Sequence, residues 1–331
     1  MGSDLKTGAG GESKTRPAIG PNRERRQLAG YLFAMGAIVF WSGNLNLARA
    51  LNKSISPLAL AFFRWSIASL AILPFAARSL EAEREAIRRN LPYIALTAAL
   101  GVSLFNTLVY YAGRSTTALN LSLISITFPI FILIFYRLLH GERITLRKAA
   151  GIAMVALGVI YLVTGGRPGR LLSMRFSAGD AIMLGAAFTF ALYSMLLKRR
   201  PEGLSLWSLQ ASTFIIGAAF LLPFFLAVPG TLEGFKLSPG LGAALLYVGI
   251  AASLGAFVMW NKAVEILGPV KAGMIYYSLP LVSGLVAAVF LGEEVGWIHV
   301  LSAALIVPGI LVANSSSRDG RTRRGRARRE G

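Results

Sequence analysis

Long apolar stretches, separated by short polar or charged segments, dominate the chain. A helix that crosses the roughly 30 Å hydrocarbon core of a bilayer needs about 20 mostly apolar residues. Ten stretches approach or exceed this length, at residues 28–50, 58–77, 91–113, 117–139, 148–164, 178–197, 205–228, 240–263, 270–291 and 297–313. The pattern therefore predicts ten transmembrane segments.

The segments are expected to be helices. Runs such as Leu123–Leu139 are apolar on every face, whereas the strands of a membrane barrel alternate apolar and polar residues. Because lipid offers no hydrogen-bond partner to the backbone, a lone segment must satisfy its own N–H and C=O groups. The predicted fold class is an all-α, polytopic membrane protein.

The amino-acid composition excludes several classes of function. Of the 331 residues 55% are hydrophobic and only 15% are charged, and the mean hydropathy is +0.60. With no cysteine and two histidines, His140 and His299, the chain offers little for a thiolate or histidine metal site. No buried acid, histidine pair or nucleophile constellation supports a membrane-embedded enzyme. We expect no catalytic residue, no metal and no cofactor.

Basic residues are distributed unevenly between alternate loops. The chain has 34 Lys and Arg and a formal net charge of +19, and most of these residues fall in the two tails and in every second loop. Cytoplasmic loops of membrane proteins carry such an excess. Both tails are therefore predicted to lie in the cytoplasm, on a bacterial-type inner membrane. The arginines of the last tail lack interleaved aromatic residues, so we expect membrane lipid rather than nucleic acid as their partner.

The two halves of the chain match each other. Pro129 and Gly158 have counterparts 151 residues later, at Pro280 and Gly309, and the triplet Leu-Pro-Phe recurs 149 residues apart. Ordered matches in consecutive spans indicate a duplicated five-helix unit. Because five is odd, the second copy must be inverted in the membrane, an architecture that recurs in secondary transporters with a substrate site near the midplane.

Loop charges agree with the inversion. The loop after the fourth span carries Arg143, Arg147 and Lys148, whereas the loop after the ninth carries Glu293 and Glu294. The predicted organisation is a disordered cytoplasmic tail (1–27), a first repeat (28–164), an extracytoplasmic loop (165–177), a second repeat (178–313) and a basic cytoplasmic tail (314–331).

The order of the motifs resembles that of the EamA-type branch of the drug/metabolite transporter superfamily. The matching residues are Phe40–Asn44, Pro57, Phe63-Arg64, Tyr110–Arg114, Pro129 and Gly141-Glu142, then Trp260–Val264, Pro280 and Gly292-Glu293. Within the family the chain is most similar to YddG-like amino-acid and metabolite exporters. The resemblance implies a carrier of small molecules, which we expect to work by alternating access. Because two complete copies lie in one chain, we expect it to be monomeric. The second copy departs from it at Thr213, which stands where the first has Arg64.

Polar and aromatic residues inside the spans are the candidate cavity lining. They are Asn44, Arg64, Asn106, Ser122, Ser125, Tyr193, Gln210, Trp260, Tyr276, Tyr277 and Ser278. Pro129 and Pro280 remove a backbone hydrogen bond and are the predicted kinks or hinges. The alternatives are that hydroxyls bond back to their own helix, that aromatic residues near span ends belong to the interfacial belt, and that Arg64 extends toward the outer interface.

These residues favour one substrate class. All 15 carboxylates lie in tails, loops or span ends, so the buried acid expected of a cation/proton exchanger is missing. A lining of amides, hydroxyls and aromatic faces suits a zwitterion or a neutral aromatic. We expect an exporter of aromatic or neutral amino acids; the alternative is a multidrug or nucleobase/nucleoside-type carrier on the same fold.

Overall fold

Helices account for the regular structure of the residues that the computed structural model describes: 21–51, 54–116, 118–141, 145–172, 175–233, 235–291 and 295–315. The α-helices are α1 (Pro21–Leu51), α2 (Pro57–Ala82), α3 (Arg84–Arg89), α4 (Leu91–Ala98), α5 (Phe105–Ser115), α6 (Ala118–Ser125), α7 (Thr127–His140), α8 (Leu146–Val163), α9 (Ala178–Lys198), α10 (Leu206–Ala227), α11 (Pro239–Leu246), α12 (Ala256–Leu267), α13 (Pro269–Tyr276), α14 (Leu279–Leu291) and α15 (Trp297–Asn314). A short 3₁₀ turn, Pro168–Leu171, lies in the loop between the repeats.

The helices combine into ten spans close to the predicted ones. In chain order these are α1, α2, α4 with α5, α6 with α7, α8, α9, α10, α11 with α12, α13 with α14, and α15. Eight are, within the described residues, single stretches long and apolar enough to cross a membrane. The other two are span one and span nine, of which the latter is interrupted at Tyr277-Ser278.

Several boundaries differ from the predictions. α1 begins at Pro21, inside the segment predicted as a tail, because proline suits the first turn of a helix and charged residues can extend a helix beyond lipid. The short helix α3, absent from the prediction, occupies the basic loop after span two. Residues 1–20 and 316–331, and the predicted loop residues Glu142, Arg143, Glu293 and Glu294, lie outside the described residues.

The packing of the spans repeats with inverted order. Span one packs against spans eight and nine, and span six packs in the same way against spans three and four. Span two contacts spans seven and eight, while span seven contacts spans two and three; span five packs against span ten. Each of these contacts of the first copy thus has a counterpart in the second. This arrangement is the one expected of two five-helix copies related by an axis in the membrane plane.

Each copy contains a π-helical segment that the sequence pattern does not predict. Ala99–Leu104 joins α4 to α5 in span three, and Tyr247–Gly255 joins α11 to α12 in span eight. A π segment widens the helix by one residue per turn and occurs frequently at functional sites. Glycines inside both segments admit side chains from neighbouring spans: a Cβ on Gly101 would lie 2.2 Å from the Tyr193 ring, and one on Gly249 would lie 2.4 Å from Ile67.

Hydrogen bonds between loops define the two ends of the bundle. The end where α1 begins, called here the first face, also holds Glu83, which accepts from the Ser205 backbone N–H at 2.7 Å. At the opposite end, the second face, the Ser56 hydroxyl donates to the Thr231 carbonyl at 2.7 Å. Burial raises the pKa of Glu83, but hydrogen bonds from Ser208 and Ser205 lower it more, so that it lies below the usual value of 4.5.

Spans five and ten meet through glycine. A Cβ on Gly151 would lie 2.6 Å from the backbone N of Ala313 and 2.6 Å from the carbonyl O of Gly309. Both atoms belong to backbone, which cannot move aside as a flexible side chain can. Small residues that allow such close approach are the usual basis of helix association in lipid.

We predict that Gly151→Ala lowers the thermal stability of the detergent-solubilised protein, at a cost of about 1–3 kcal/mol, because the added methyl forces spans five and ten apart. Gly185→Ala is the matched control, since its Cβ would find its nearest atom, a Leu108 methyl, at 4.0 Å. An equal or higher melting temperature for Gly151→Ala would show that the two helices do not approach so closely.

We also predict a pH-dependent role for Glu83 at the first face. Because its folded pKa is lowered, the stability it contributes is present above the unfolded value of 4.5 and is lost as the pH falls through the folded value. Glu83→Gln should therefore melt below wild type at pH 7, with the gap closing toward pH 4. Glu85→Gln, an exposed neighbour, should show no comparable gap; a constant gap at all pH values would refute the assignment.

Candidate functional site

Arg64 lies at the centre of a polar group that joins four spans of the bundle. Its side chain is 1% exposed. Nε donates to the Ser253 hydroxyl at 2.5 Å, one Nη to the Tyr110 hydroxyl at 2.7 Å and to Asn44 Oδ1 at 3.4 Å, and the other Nη to the Ala252 carbonyl at 2.8 Å. Arg64 thus joins span two to spans one, three and eight.

The π segment of span eight supplies the unusual acceptors. The Ala252 carbonyl accepts from Arg64 and also from Trp41 Nε1, at 3.1 Å. The Ser253 hydroxyl donates to the Val248 carbonyl at 2.8 Å, which leaves its oxygen lone pairs free for Arg64. A regular α-helix would use these carbonyls internally. The irregular turn therefore makes a cation site in the middle of a span.

The charge of Arg64 is buried without a counter-ion. No carboxylate within the described chain pairs with it; its four hydrogen bonds run to neutral oxygens. A guanidinium carries five N–H groups, so one of them has no acceptor among the described residues. Its carbon lies 5.2 Å from the centre of the Trp65 ring, which adds a cation–π contact. Ionisable groups placed in this way inside a membrane protein are expected to be functional.

Further buried nitrogen donors of the bundle also lack acceptors among the described residues. The buried side-chain nitrogens of Trp65, Asn106 and Gln210 have no partner within the described residues, and neither has the Tyr277 hydroxyl. Asn106 lies one helical turn before Tyr110 on the same face of α5. An unpaired buried donor costs about 1–3 kcal/mol. The interior is thus rich in donors and poor in acceptors.

Aromatic rings fill the region between the two copies. This central aromatic cluster consists of Trp41, Phe128, Phe190, Phe257, Trp260 and Tyr276. Trp41 lies 5.6 Å from Phe190, 5.7 Å from Phe257 and 5.4 Å from Trp260 between ring centres. Trp41 and Phe190 are 149 residues apart, so the two copies place equivalent rings against each other. Phe128 contacts Tyr276 at 4.7 Å, which links spans four and nine.

A second polar group, called here the amide network, joins spans six, seven and eight. The Tyr193 hydroxyl donates to Asn261 Oδ1 at 2.9 Å, and the Asn261 amide nitrogen donates to Gln210 Oε1. Tyr193 is 1% exposed and its ring lies 5.6 Å from that of Phe190. The network therefore lies directly beside the aromatic cluster, toward the first face.

Spans four and nine are both broken just before their proline. α6 ends at Ser125 and α7 begins at Thr127, two residues before Pro129; α13 ends at Tyr276 and α14 begins at Leu279, one residue before Pro280. The Ser125 hydroxyl donates to the Ser122 carbonyl at 2.7 Å, and the Ser278 hydroxyl to the Ile275 carbonyl at 2.8 Å. These hydroxyls bond back to their own helices, so they stabilise the broken turns.

The two breaks divide halves that differ in burial. α13, the half of span nine at the first face, is buried along almost its whole length, against α7, α1 and α12. Its counterpart α6, at the second face, leaves Leu121–Ser125 only partly buried. α6 makes no contact with α14 comparable to that of α13 with α7 in the described residues. The bundle is closed more tightly at the first face than at the second.

Asp180 fixes α6 at the second face. Its carboxylate accepts from the Thr116 hydroxyl, from the Asn120 amide at 3.0 Å and from the Ser177 backbone N–H at 2.7 Å. The last bond completes a capping box at the start of α9. Asp180 thereby ties spans three, four and six together, and its charge is used locally.

The structure brings some of the cavity residues predicted from the sequence into contact and leaves others apart. It brings Asn44 to Arg64, Tyr193 to Gln210, and Trp260 to Tyr276. Ser122 and Ser125 lie apart from these groups, on the half-open α6. Tyr277 is 1% exposed and Asn106 4% exposed, and each keeps an unpaired polar atom.

Sequence reasoning missed four contributors to these groups. Tyr110 stands near the end of span three, where an aromatic residue more often belongs to the interfacial belt, but it is 3% exposed and accepts a hydrogen bond from Arg64. Ala252, Ser253 and Asn261 were not chosen. A carbonyl in a π segment leaves no mark in the sequence, although the matching positions of Ser103 and Ser253 in the two copies could have drawn attention to Ser253.

A ten-span bundle of two inverted copies, with a buried cation and an aromatic centre, defines a polytopic membrane protein of the transporter class. The profile of the EamA-like transporter family matches residues 28–164 and again residues 177–315. The chain therefore belongs to the EamA-like transporter family, within the drug/metabolite transporter superfamily, and it carries two EamA units. This confirms the predicted fold class and the prediction of a transporter rather than an enzyme.

Sequence relatives and a solved structure are consistent with membership of this family. An uncharacterized transporter of Bacillus subtilis, YyaM, is 23% identical over 286 residues, covering 86% of this chain and 93% of its own. A protein of Streptantibioticus cattleyicolor described as "Probable terminal-alkyne amino-acid exporter" is 27% identical over 278 residues, covering 84% and 90%. A solved crystal structure matches with a TM-score of 0.69 at 21% identity, covering 86% of this chain and 96% of that one, which shows the fold.

We predict that Ser253→Ala destabilises the protein by about 1–3 kcal/mol, because the buried Nε–H of Arg64 then loses its acceptor. Thermal unfolding in detergent measures the loss. Ser69→Ala is the control: its hydroxyl only donates to the Trp65 carbonyl of its own helix, so its loss should cost less than about 0.5 kcal/mol. Equal melting of the two variants would contradict a role for Ser253 in holding Arg64.

Proposed function

We propose that this transporter exports neutral or aromatic amino acids across a bacterial-type inner membrane, as a monomer working by alternating access around the region between Arg64 and the central aromatic cluster. The substrate class goes beyond the family assignment. It is argued from the charge, the donors and the apolar surface of that region.

The observation that carries the proposal is the buried cation with a spare donor. Arg64 is 1% exposed, and in the part of the chain that the structure describes it has no carboxylate partner and keeps one N–H without an acceptor. Unpaired nitrogens on Trp65, Asn106 and Gln210 add to the excess of donors. A solute that brings a carboxylate would supply the missing acceptors and charge, and a hydrogen bond to a charged group is worth about 1.5–3 kcal/mol.

The central aromatic cluster is complementary to the side chain of the proposed amino acid. Trp41 shares the Ala252 carbonyl with Arg64, and its ring lies 5.6 Å from that of Phe190 and 5.4 Å from that of Trp260. An apolar or aromatic side chain is complementary to these faces. A distant relative is described as a probable amino-acid exporter, which supports the same class.

Orientation follows from the basic residues. The first face carries Arg78, Arg84, Arg88, Arg89, Lys198, Arg199 and Arg200, and the positive-inside tendency supports placing it in the cytoplasm with both termini. The tight packing of α13 and the half-open α6 then correspond to an outward-facing state. Pro129 and Pro280 are the proposed hinges, because the helix breaks beside them lie where the burial of the two halves changes.

A nucleobase or another flat heterocycle is the second candidate. The stacked and edge-on rings around Trp41 and Trp260 would hold a planar ring as well as they would hold an aromatic amino acid. Such a solute would leave the charge of Arg64 without a partner, so we place it second.

Counterflow in proteoliposomes tests the proposal. Proteoliposomes that contain the purified protein and are preloaded with unlabelled L-phenylalanine or L-leucine should accumulate the labelled amino acid. Preloading with phenethylamine, which lacks the carboxylate, should support little exchange. Uracil serves as the competing substrate. No flux of any amino acid, or equal flux of the amine, would overturn the proposed substrate class.

Arg64 variants refine the test. We expect Arg64→Gln to reduce counterflow of L-phenylalanine at least about tenfold, the factor that corresponds to a loss of about 1.4 kcal/mol. Arg78→Gln, an exposed arginine on the same helix, is the matched control and should retain wild-type flux. Arg64→Lys keeps the charge; if it and Arg64→Gln both transport normally while remaining folded, Arg64 does not recognise the carboxylate.

A further inference from the structure

A cavity of about 130 Å³ opens at the first face, away from Arg64. It lies between the end of span six, the start of span seven and the end of span eight. Its lining residues are Leu197, Lys198, Arg200, Leu206, Leu209, Asn261 and Glu265. A cavity of this size holds several water molecules or a small solute, since a single water needs about 10–15 Å³.

The mouth of the cavity carries charges of both signs. Glu265 pairs with Arg200 at 3.4 Å, across the gap between span eight and the loop after span six, and with Lys262 at 2.9 Å. The side chains of Arg200 and Glu265 are 27% and 32% exposed. A pair this exposed contributes little to stability, so either partner can exchange the other for a charged group of a solute at small cost.

The wall and floor of the cavity are uncharged, unlike its mouth. Three leucines form an apolar wall, and Asn261 forms a polar floor. Behind Asn261, the amide network joins it to Gln210 and Tyr193. Gln210 is fully buried, and its Nε2 has no hydrogen-bond partner among the residues that the structure describes. The Tyr193 ring then contacts Phe190 of the central aromatic cluster at 5.6 Å.

We propose that this cavity is a loading vestibule that binds a zwitterionic, apolar solute before it reaches the central site. The ammonium group would meet Glu265, the carboxylate would meet Arg200, and the side chain would lie against the leucines. The amide network closes the floor, and Gln210 Nε2 is the next carboxylate donor on the way to Arg64. The inference rests on the proposed function, to which it adds a second binding station and its charge requirement.

Site-directed thiol labelling tests the vestibule, because the chain has no cysteine of its own. Leu206→Cys places a thiol in the cavity wall, and the probe is a negatively charged methanethiosulfonate. In detergent both faces are accessible, so the result does not depend on orientation. Leu204→Cys is the matched control: Leu204 is buried, two residues earlier, and is not a lining residue. The melting temperatures of both variants verify their folding.

We expect Leu206→Cys to react much faster than Leu204→Cys, and L-leucine to slow that reaction. Protection follows 1 + [L]/Kd, so a solute at about four times its dissociation constant slows labelling about fivefold. 3-Methylbutylamine and 4-methylpentanoate, which each lack one charge, should protect much less at the same concentration. Adding Glu265→Gln to Leu206→Cys should remove the protection while leaving the unprotected rate within about twofold.

Three results would overturn the vestibule. Labelling of Leu206→Cys as slow as that of Leu204→Cys would show that no cavity is present. Rapid labelling that L-leucine does not slow, in protein active in counterflow, would show a crevice that binds no solute and would leave the proposed function intact. Equal protection by 4-methylpentanoate would replace the zwitterion site by a simple anion site. Conversely, protection without counterflow would support the vestibule and count against the transport proposal alone.

Discussion

The burial of a guanidinium that has no carboxylate partner among the described residues constrains the rest of this structure. A buried charge is tolerated only when its hydrogen bonds are made, and regular helices have no spare carbonyls to offer. Here the π segment of span eight frees the Ala252 carbonyl and orients the Ser253 hydroxyl, while Asn44 and Tyr110 complete the shell. Four spans from both copies therefore have to stay in register around one side chain.

That shell also shows how a symmetric scaffold becomes an asymmetric site. The packing of the spans is duplicated, the π segments are duplicated, and equivalent rings of Trp41 and Phe190 meet near the axis. The charges are not duplicated: Thr213, the counterpart of Arg64, donates to the Gln210 carbonyl of its own helix at 2.9 Å. One copy supplies the cation and the other supplies the amide network, so the two ends of a path between the copies are chemically different.

The difference in packing between α6 and α13 has a related cause. α13 lies against α7, α1 and α12 with aromatic contacts such as Phe128 to Tyr276. α6 is instead held by the short polar tie of Asp180 to Thr116 and Asn120. A few hydrogen bonds near a span end are easier to rearrange than an interdigitated apolar face. Of these two helix halves, α6 is therefore the one that can rearrange at the smaller cost.

The sequence by itself determined the number and nature of the spans, the duplication and the presence of kinks before Pro129 and Pro280. These properties depend on local hydropathy and backbone chemistry, which are read residue by residue, and Arg64 stood out because a cation inside a span is rare. Only the tertiary structure decided what Arg64 bonds, that Tyr110 is an inner residue, that Gln210 and Asn261 are joined, and that Ser122 and Ser125 stand aside. Such contacts link residues up to 189 positions apart, and one of them uses a carbonyl freed by a π turn. The sequence gives no direct sign of either, because the pairing depends on how whole helices are oriented against one another.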